Sequence, residues 1–317
     1  MNNLILDCDT GEDDALAILL AVVNKLPVRH IVTSYGNTSI ANSTRNTARL
    51  LSLAGAKDVV VIQGSAHALR EHPIERGGVS AGDFVGKNGI CNVRLPPAKY
   101  QNIVSFPDND FADRLAEIIK DASPLDYIIT GPCTNFARVC QHLGQSIQEY
   151  VKNVYIMGGA VYQDGNSGPL HPTTGKPFAE FNFYCDPYAV EMVLQSGLEI
   201  HLVTWDITST LTIPYEYIQA FRSSTDIGKF TIRLMKNFFK YYGLGHNRNF
   251  ELNDPLTVLA YLGYGKFREV RISIILDSEQ FGRSVADSKG YAVQYFSLDD
   301  DEKQVVIDKI LMDLEVD

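Results

Sequence analysis

Cysteine is scarce in this 317-residue chain, tryptophan occurs once, and long apolar runs are missing. The five cysteines, at 8, 91, 133, 140 and 185, are odd in number and form no C-x-x-C. That argues against a disulfide framework or a zinc ribbon, and they read as small buried hydrophobes. Basic residues are in deficit, 28 against 38 acids, giving a formal charge of −10. Broad binding to a phosphate backbone needs a basic face, so no nucleic-acid partner is expected. No uncharged apolar run approaches the ~18 residues of a membrane span, so no membrane partner is expected either. The N-terminus, MNNLILDCDTGEDDA, lacks a basic region and places five acids within residues 7–14. It does not read as a signal peptide, and the cytoplasm is the expected compartment.

What is present is a β-α-β rhythm. Residues 4–6, 30–36, 59–62, 127–131, 154–159 and 200–205 are β-branched or apolar runs that end in small or polar residues. Helical patterns follow several of them, at 15–23, up to about 54, at 136–143 and at 188–197. This alternation predicts an α/β fold, a mostly parallel sheet with helices on both faces. Near the C-terminus, strands at 270–276 and 291–298 with a Ser288-Lys289-Gly290 turn predict an antiparallel extension, closed by a helix over 300–316. No repeat, low-complexity tract or linker interrupts the chain, so 1–317 is expected to be one domain. Segments 64–108, 160–180 and 206–253 escape the alternation, and loops of that length are usually functional or hold short helices.

In an open α/β sheet the ligand sits beyond the carboxyl ends of the strands. Asp7, Asp9, Glu12, Asp13 and Asp14 crowd the first such end. A Thr10–Asp13 capping box accounts for two of these positions. Five carboxylates in eight positions need more, and an all-oxygen cluster suits a hard cation, calcium or magnesium. Other strand ends carry Asn37, the stretch Thr130-Gly131-Pro132-Cys133-Thr134-Asn135, Met157-Gly158-Gly159-Ala160 and Gly165-Asn166. Ala179-Glu180-Phe181-Asn182, Asp186-Pro187 and Asn253-Asp254-Pro255 follow. Asp186-Pro187 is expected to open a helix with proline at its first position.

Taken together and in this order, the elements resemble the inosine-uridine-preferring nucleoside hydrolases. The DxDxGxDD signature stands as Asp7-Cys8-Asp9-Thr10-Gly11-Glu12-Asp13-Asp14, and the likeness runs from about residue 4 to 262. It implies a Rossmann-like domain, calcium-dependent cleavage of the N-glycosidic bond of ribonucleosides, and a homodimer or homotetramer. By position, Asp9, Asp14 and Asp254 match the calcium-ligating carboxylates, and the carbonyl of Thr130 completes the protein ligands. Asp9 also matches the base that takes a proton from the metal-bound water. Asp13, Asn166, Glu180 and Asn182 match residues that bind the ribose hydroxyls, Asn37 and Met157 line the sugar pocket, and Asp254 faces both metal and substrate.

The nucleobase end departs from the family. Asn253 stands where many members place a histidine before the last Asp-Pro, and Val85 stands where many carry the histidine of a His-Gly pair. The segment 167–179 is longer than usual. Tyr242 and His246, in the stretch 240–246, are the candidate replacement acids; His72 reads as ordinary surface. Two rivals remain: a catalytically weak ribose- or nucleoside-binding protein on the same scaffold, and a phosphatase of the haloacid dehalogenase type. The second fits poorly, because Thr10 comes one place too early after Asp7 and no later acidic pair follows an apolar strand.

Overall fold

The computed structural model describes residues 2–73, 85–99, 102–242, 249–277 and 279–317. Its strands are β1 (Asn3–Cys8), β2 (Val28–Thr33), β3 (Val60–Gln63), β4 (Ile103–Ser105), β5 (Leu125–Ile129), β6 (Val151–Met157) and β7 (Ser167–Leu170). β8 (Pro177–Ala179), β9 (Glu199–Val203), β10 (Thr212–Ile213), β11 (Phe250–Glu251), β12 (Lys266–Ile274), β13 (Ser284–Ala286) and β14 (Tyr291–Ser297) complete them. Ten strands form one sheet in the order β13-β12-β14-β9-β6-β5-β1-β2-β3-β4. From β14 to β4 neighbours run parallel, whereas β12 pairs antiparallel with both β13 and β14. The expected parallel sheet and antiparallel extension are both present.

Strand composition explains the layering. Side chains alternate across a strand, so β1 sends Leu4, Leu6 and Cys8 to one core and Ile5 to the other. The first core is closed by helices Glu12–Val23, Ile40–Leu53, Asp226–Tyr242, Asn253–Tyr261 and Asp300–Asp313. The second is closed by Phe111–Ala122, Thr134–Leu143 and Pro187–Leu194. Both faces being covered, the central strands are apolar throughout. The chain winds outward from β1 to β4, then returns to β5 on β1's other side and winds the opposite way. The order therefore reverses between β1 and β5, and a crevice opens there at their carboxyl ends.

The long irregular segments hold more structure than the sequence pattern indicates. The stretch 206–253 contains the 17-residue helix Asp226–Tyr242, the stretch 160–180 contains the β7–β8 hairpin, and 64–108 contains β4. The capping of the first helix is also shifted by one residue. Asp14 Oδ2 accepts from the Gly11 N–H at 2.8 Å, while the Thr10 hydroxyl is engaged by that of Thr47 at 2.7 Å. His72 is buried, not on the surface, with its ring edge-on to Tyr184 and Phe281. Asp186 does open its helix, accepting from Ala189 N, and also holds Leu69 N and the Thr134 hydroxyl.

Candidate active site

The crevice at the switch point gathers the acids. Asp7 points inward and is locked by the Tyr127 hydroxyl at 3.0 Å and Asn135 Nδ2 at 2.9 Å. Burial raises its carboxyl to about 7, opposed by those two hydrogen bonds. Asp7 and Asn135 are thus framework: Asn135 also takes Ser65 N and gives to Thr33 O, tying β2, β3 and β5 together. The sequence quotes Asn135 within a motif but offers no sign of this bracing task.

Asp9 is wholly buried and turned toward the end of β2. Its Oδ2 accepts from the Asn37 N–H, and Asn37 Nδ2 bridges Asp9 Oδ1 at 3.2 Å and Asp14 Oδ2 at 3.1 Å. This close approach needs glycine at 36, where φ is +142° and a Cβ would fall 2.1 Å from Asp9 Oδ2. Asp14 Oδ1 accepts from the Thr130 hydroxyl at 2.8 Å. The carboxylates of Asp13, Asp14 and Asp254 converge, with one oxygen of each within 4.8 Å of the others. Asp9 lies beside this trio, against Asp14. Asp13, matched by resemblance to the sugar, is itself one of the three.

Among the described residues these acids have no basic partner: no lysine or arginine ion pair reaches Asp9, Asp13, Asp14 or Asp254. Burial first, and then the neighbouring acids, push Asp9 and Asp254 well above the usual carboxylate range and hold Asp13 at about 7. Asp14 is raised by burial and partly relieved by hydrogen bonds, the first from Gly11 N–H. Asp254 is 1 % exposed, yet its Oδ2 takes no hydrogen bond among the described residues. Converging buried carboxylates with an orphaned oxygen and no counter-charge are what an oxygen-seeking cation would satisfy. The donor set fits the expected metal.

The opposite wall comes from β6 and the short helix Phe181–Cys185. Glu180 caps that helix: its carboxylate accepts from the N–H groups of Gly159 at 2.9 Å, Asn182 at 2.9 Å and Phe183 at 3.1 Å. Burial raises its carboxyl, and these backbone donors lower it. Asn182 Nδ2 donates to the carbonyls of Thr130 and Met157, each at 3.1 Å. Asn166 stands apart and exposed at the foot of the β7–β8 hairpin, its N–H on Ala179 O at 2.9 Å. The hairpin joins Asn166 to Glu180. Of the candidate acids, Tyr242 ends the helix Asp226–Tyr242, but its side chain lies outside the described residues, as does His246. Val85 is buried, its carbonyl accepting from Cys91 N at 2.7 Å, and Asn253 Nδ2 donates to Asp13 Oδ2 at 3.1 Å.

An open α/β sheet with a buried acid cluster at its switch point defines the class: an α/β enzyme with a candidate hard-metal centre. The chain belongs to the inosine-uridine preferring nucleoside hydrolase family, whose sequence model matches residues 4–315. As a member it is a ribonucleoside hydrolase, an N-glycosidase. It is 29% identical over 294 residues to a pyrimidine-specific ribonucleoside hydrolase RihA of Photobacterium profundum, covering 90% of this chain and 88% of that one. To the Escherichia coli protein of the same description it is 31% identical over 261 residues, covering 80% and 78%. Among solved structures, the plant nucleoside hydrolase PpNRh1 superposes with a TM-score of 0.84 at 24% identity, covering 99% of both chains. A purine-preferring ribonucleoside hydrolase from Gardnerella vaginalis gives 0.82 at 23%, covering 99% and 98%. These two likenesses establish the fold.

Proposed function

We propose that residues 1–317 act as one calcium-dependent ribonucleoside hydrolase, with Asp9, Asp14, Asp254 and the Thr130 carbonyl holding the ion and Asp9 as general base. The observation that carries this reading is the convergence of buried, uncompensated carboxylates, with Asp254 Oδ2 orphaned, beside Asp9. When bound, calcium supplies a positive charge that orients water and vicinal hydroxyls without ionising water as zinc would. Asp13, Asn166, Glu180 and Asn182 bind ribose hydroxyls, and Asn37 and Met157 shape the sugar pocket. The C1′–N bond breaks with its electron pair passing to the base, the water oxygen bonds to C1′, and Asp9 takes the proton released. The surrounding carboxylates stabilise the oxocarbenium-like ribosyl centre that develops. Tyr242 and His246 are the proposed donors to the departing base, and the assembly is a cytoplasmic homodimer or homotetramer.

Dialysis against chelator should abolish ribose release, and calcium should restore it better than zinc. Full turnover in a verified metal-free preparation would overturn the assignment. A binding-only protein would behave differently: a ribonucleoside would raise the melting temperature with no ribose released.

A further inference from the structure

Among the described residues, the N–H of Gly159 is the only donor to the Glu180 carboxylate that comes from another segment of the chain. The N–H groups of Asn182 and Phe183 belong to the helix that Glu180 itself caps. They travel with the carboxylate, whereas Gly159 ties it to the loop that follows β6. The direction of the carboxylate therefore depends on where that loop stands.

Residues 158–162 are neither helix nor strand, and Gly159 has φ +77°. Two successive glycines give such a loop little stiffness of its own, so outside groups must hold it. Gly158 N–H goes to Val203 O at 3.1 Å, and Asp206 takes the N–H groups of Val161 and Tyr162 at 2.8 and 2.9 Å. The peptide unit between Gly159 and Ala160 is held at both ends. Its carbonyl accepts from Trp205 N–H at 2.8 Å, and its N–H donates to Ser284 Oγ at 2.9 Å. The same hydroxyl donates to the Ala160 carbonyl at 3.1 Å. Ser284 is 1 % exposed and begins β13, separated from β6 in the sheet by β12, β14 and β9. It lies well beyond Asp254-Pro255, the last of the sequence motifs. The fit is tight: a Cβ on Gly159 would fall 3.0 Å from Ser284 Oγ and 2.9 Å from Phe183 Cε2.

We propose that Ser284 is a positioning residue for the sugar site. By fixing the Gly159–Ala160 peptide it keeps the Gly159 N–H on Glu180, and so sets the direction of that carboxylate. This rests on the proposed role of Glu180 in binding ribose, and it gives the antiparallel extension a task in the reaction. Without the hydroxyl, the N–H and the carbonyl of Ala160 both lose a buried partner. They recover one only if the loop shifts, and the shift carries Gly159 away from Glu180.

The test is a double-mutant cycle on kcat/KM, with calcium present and well below the melting temperature. It uses wild type, Ser284→Ala, Glu180→Ala and the double variant, with uridine and p-nitrophenyl riboside as substrates. Ser284→Ala should lower kcat/KM by roughly 10–100-fold, the cost of a sugar contact displaced by up to about an ångström. In the Glu180→Ala background the same change should cost less than about twofold, because no carboxylate remains to be aimed. A serine that only supports the fold would lower the melting temperature and cost the same factor in both backgrounds. A further measurement needs no Glu180 variant: the loss should be equal for both substrates, since they share the sugar and differ in the leaving group. Equal losses in both backgrounds, no loss in Ser284→Ala, or a loss confined to uridine would overturn this inference alone. Wild-type kcat/KM in Glu180→Ala would overturn the sugar role of Glu180 and this inference with it.

Discussion

At the scale of single residues, the site separates an acid locked into the framework from the acid proposed to react. Asp7 has both oxygens engaged by Tyr127 and Asn135, whereas Asp9 is held by Asn37 and lies against the acid Asp14. Asp9→Asn should therefore lower kcat about 10²–10⁴-fold, the share of a positioned general base, while ribose binding is partly preserved. Near-normal turnover would place proton removal elsewhere. Gly36→Ala forces a methyl group into the space of Asp9 Oδ2. Displacing a reacting group by about an ångström costs roughly 10²-fold, so kcat should collapse in a protein that still folds. Turnover within a factor of about three of wild type would show that Asp9 need not stay where it is. The acid motif is legible in sequence because its density has no structural excuse. What sequence could not show is which acid faces which: Asp13 joining Asp14 and Asp254 depends on side-chain directions that only the folded helix end fixes.

Elements were legible where burial is two-sided. The β-branched runs of β1, β2, β5, β6 and β9 admit one reading, since both faces meet a core. The helix Asp226–Tyr242 was hidden because Gly228 and the β-branched pair Thr231-Ile232 weaken local propensity near its start. Its buried stripe of Phe230, Leu234, Met235 and Phe238 overrides that preference. β4 and the β7–β8 hairpin were hidden for the opposite reason, being exposed or rich in glycine and proline. The Asp186-Pro187 signal was legible and carries a prediction. Asp186→Ala removes a helix cap that also holds Leu69 and Thr134, so stability should fall by about 2 kcal/mol. The melting temperature should drop by roughly 2–4 °C per kcal/mol lost, with kcat intact well below it. A comparable loss of kcat would mean that Asp186 serves the site and not only its helix.

Across the whole molecule, the carboxylates couple metal to stability. Burial holds Asp7 and Asp13 at about 7 in the folded protein. In an unfolded chain both ionise near 4. Without metal, the folded state therefore binds more protons than the unfolded one between about pH 4 and 7. That contribution is present at low pH and is lost as the pH rises through 7. Chelated protein should melt at a higher temperature at pH 6 than at pH 8, and saturating calcium should flatten the difference. A chelated melting temperature that falls from pH 8 to pH 6 would show that these acids ionise in the ordinary carboxylate range in the folded protein.

The bond from Asn253 to Asp13 joins residues 240 positions apart. During synthesis, the opening acids leave the ribosome long before the helix Asn253–Tyr261 exists to meet them. A growing chain therefore carries the five opening acids with the proposed cation cage unfinished, and any ion it meets can be held only loosely. The proposed calcium ion would bind tightly only after the chain has closed on itself, too late to guide the folding that precedes closure. In kinetic terms the ion should leave the refolding rate nearly unchanged and slow unfolding, acting as a latch set last.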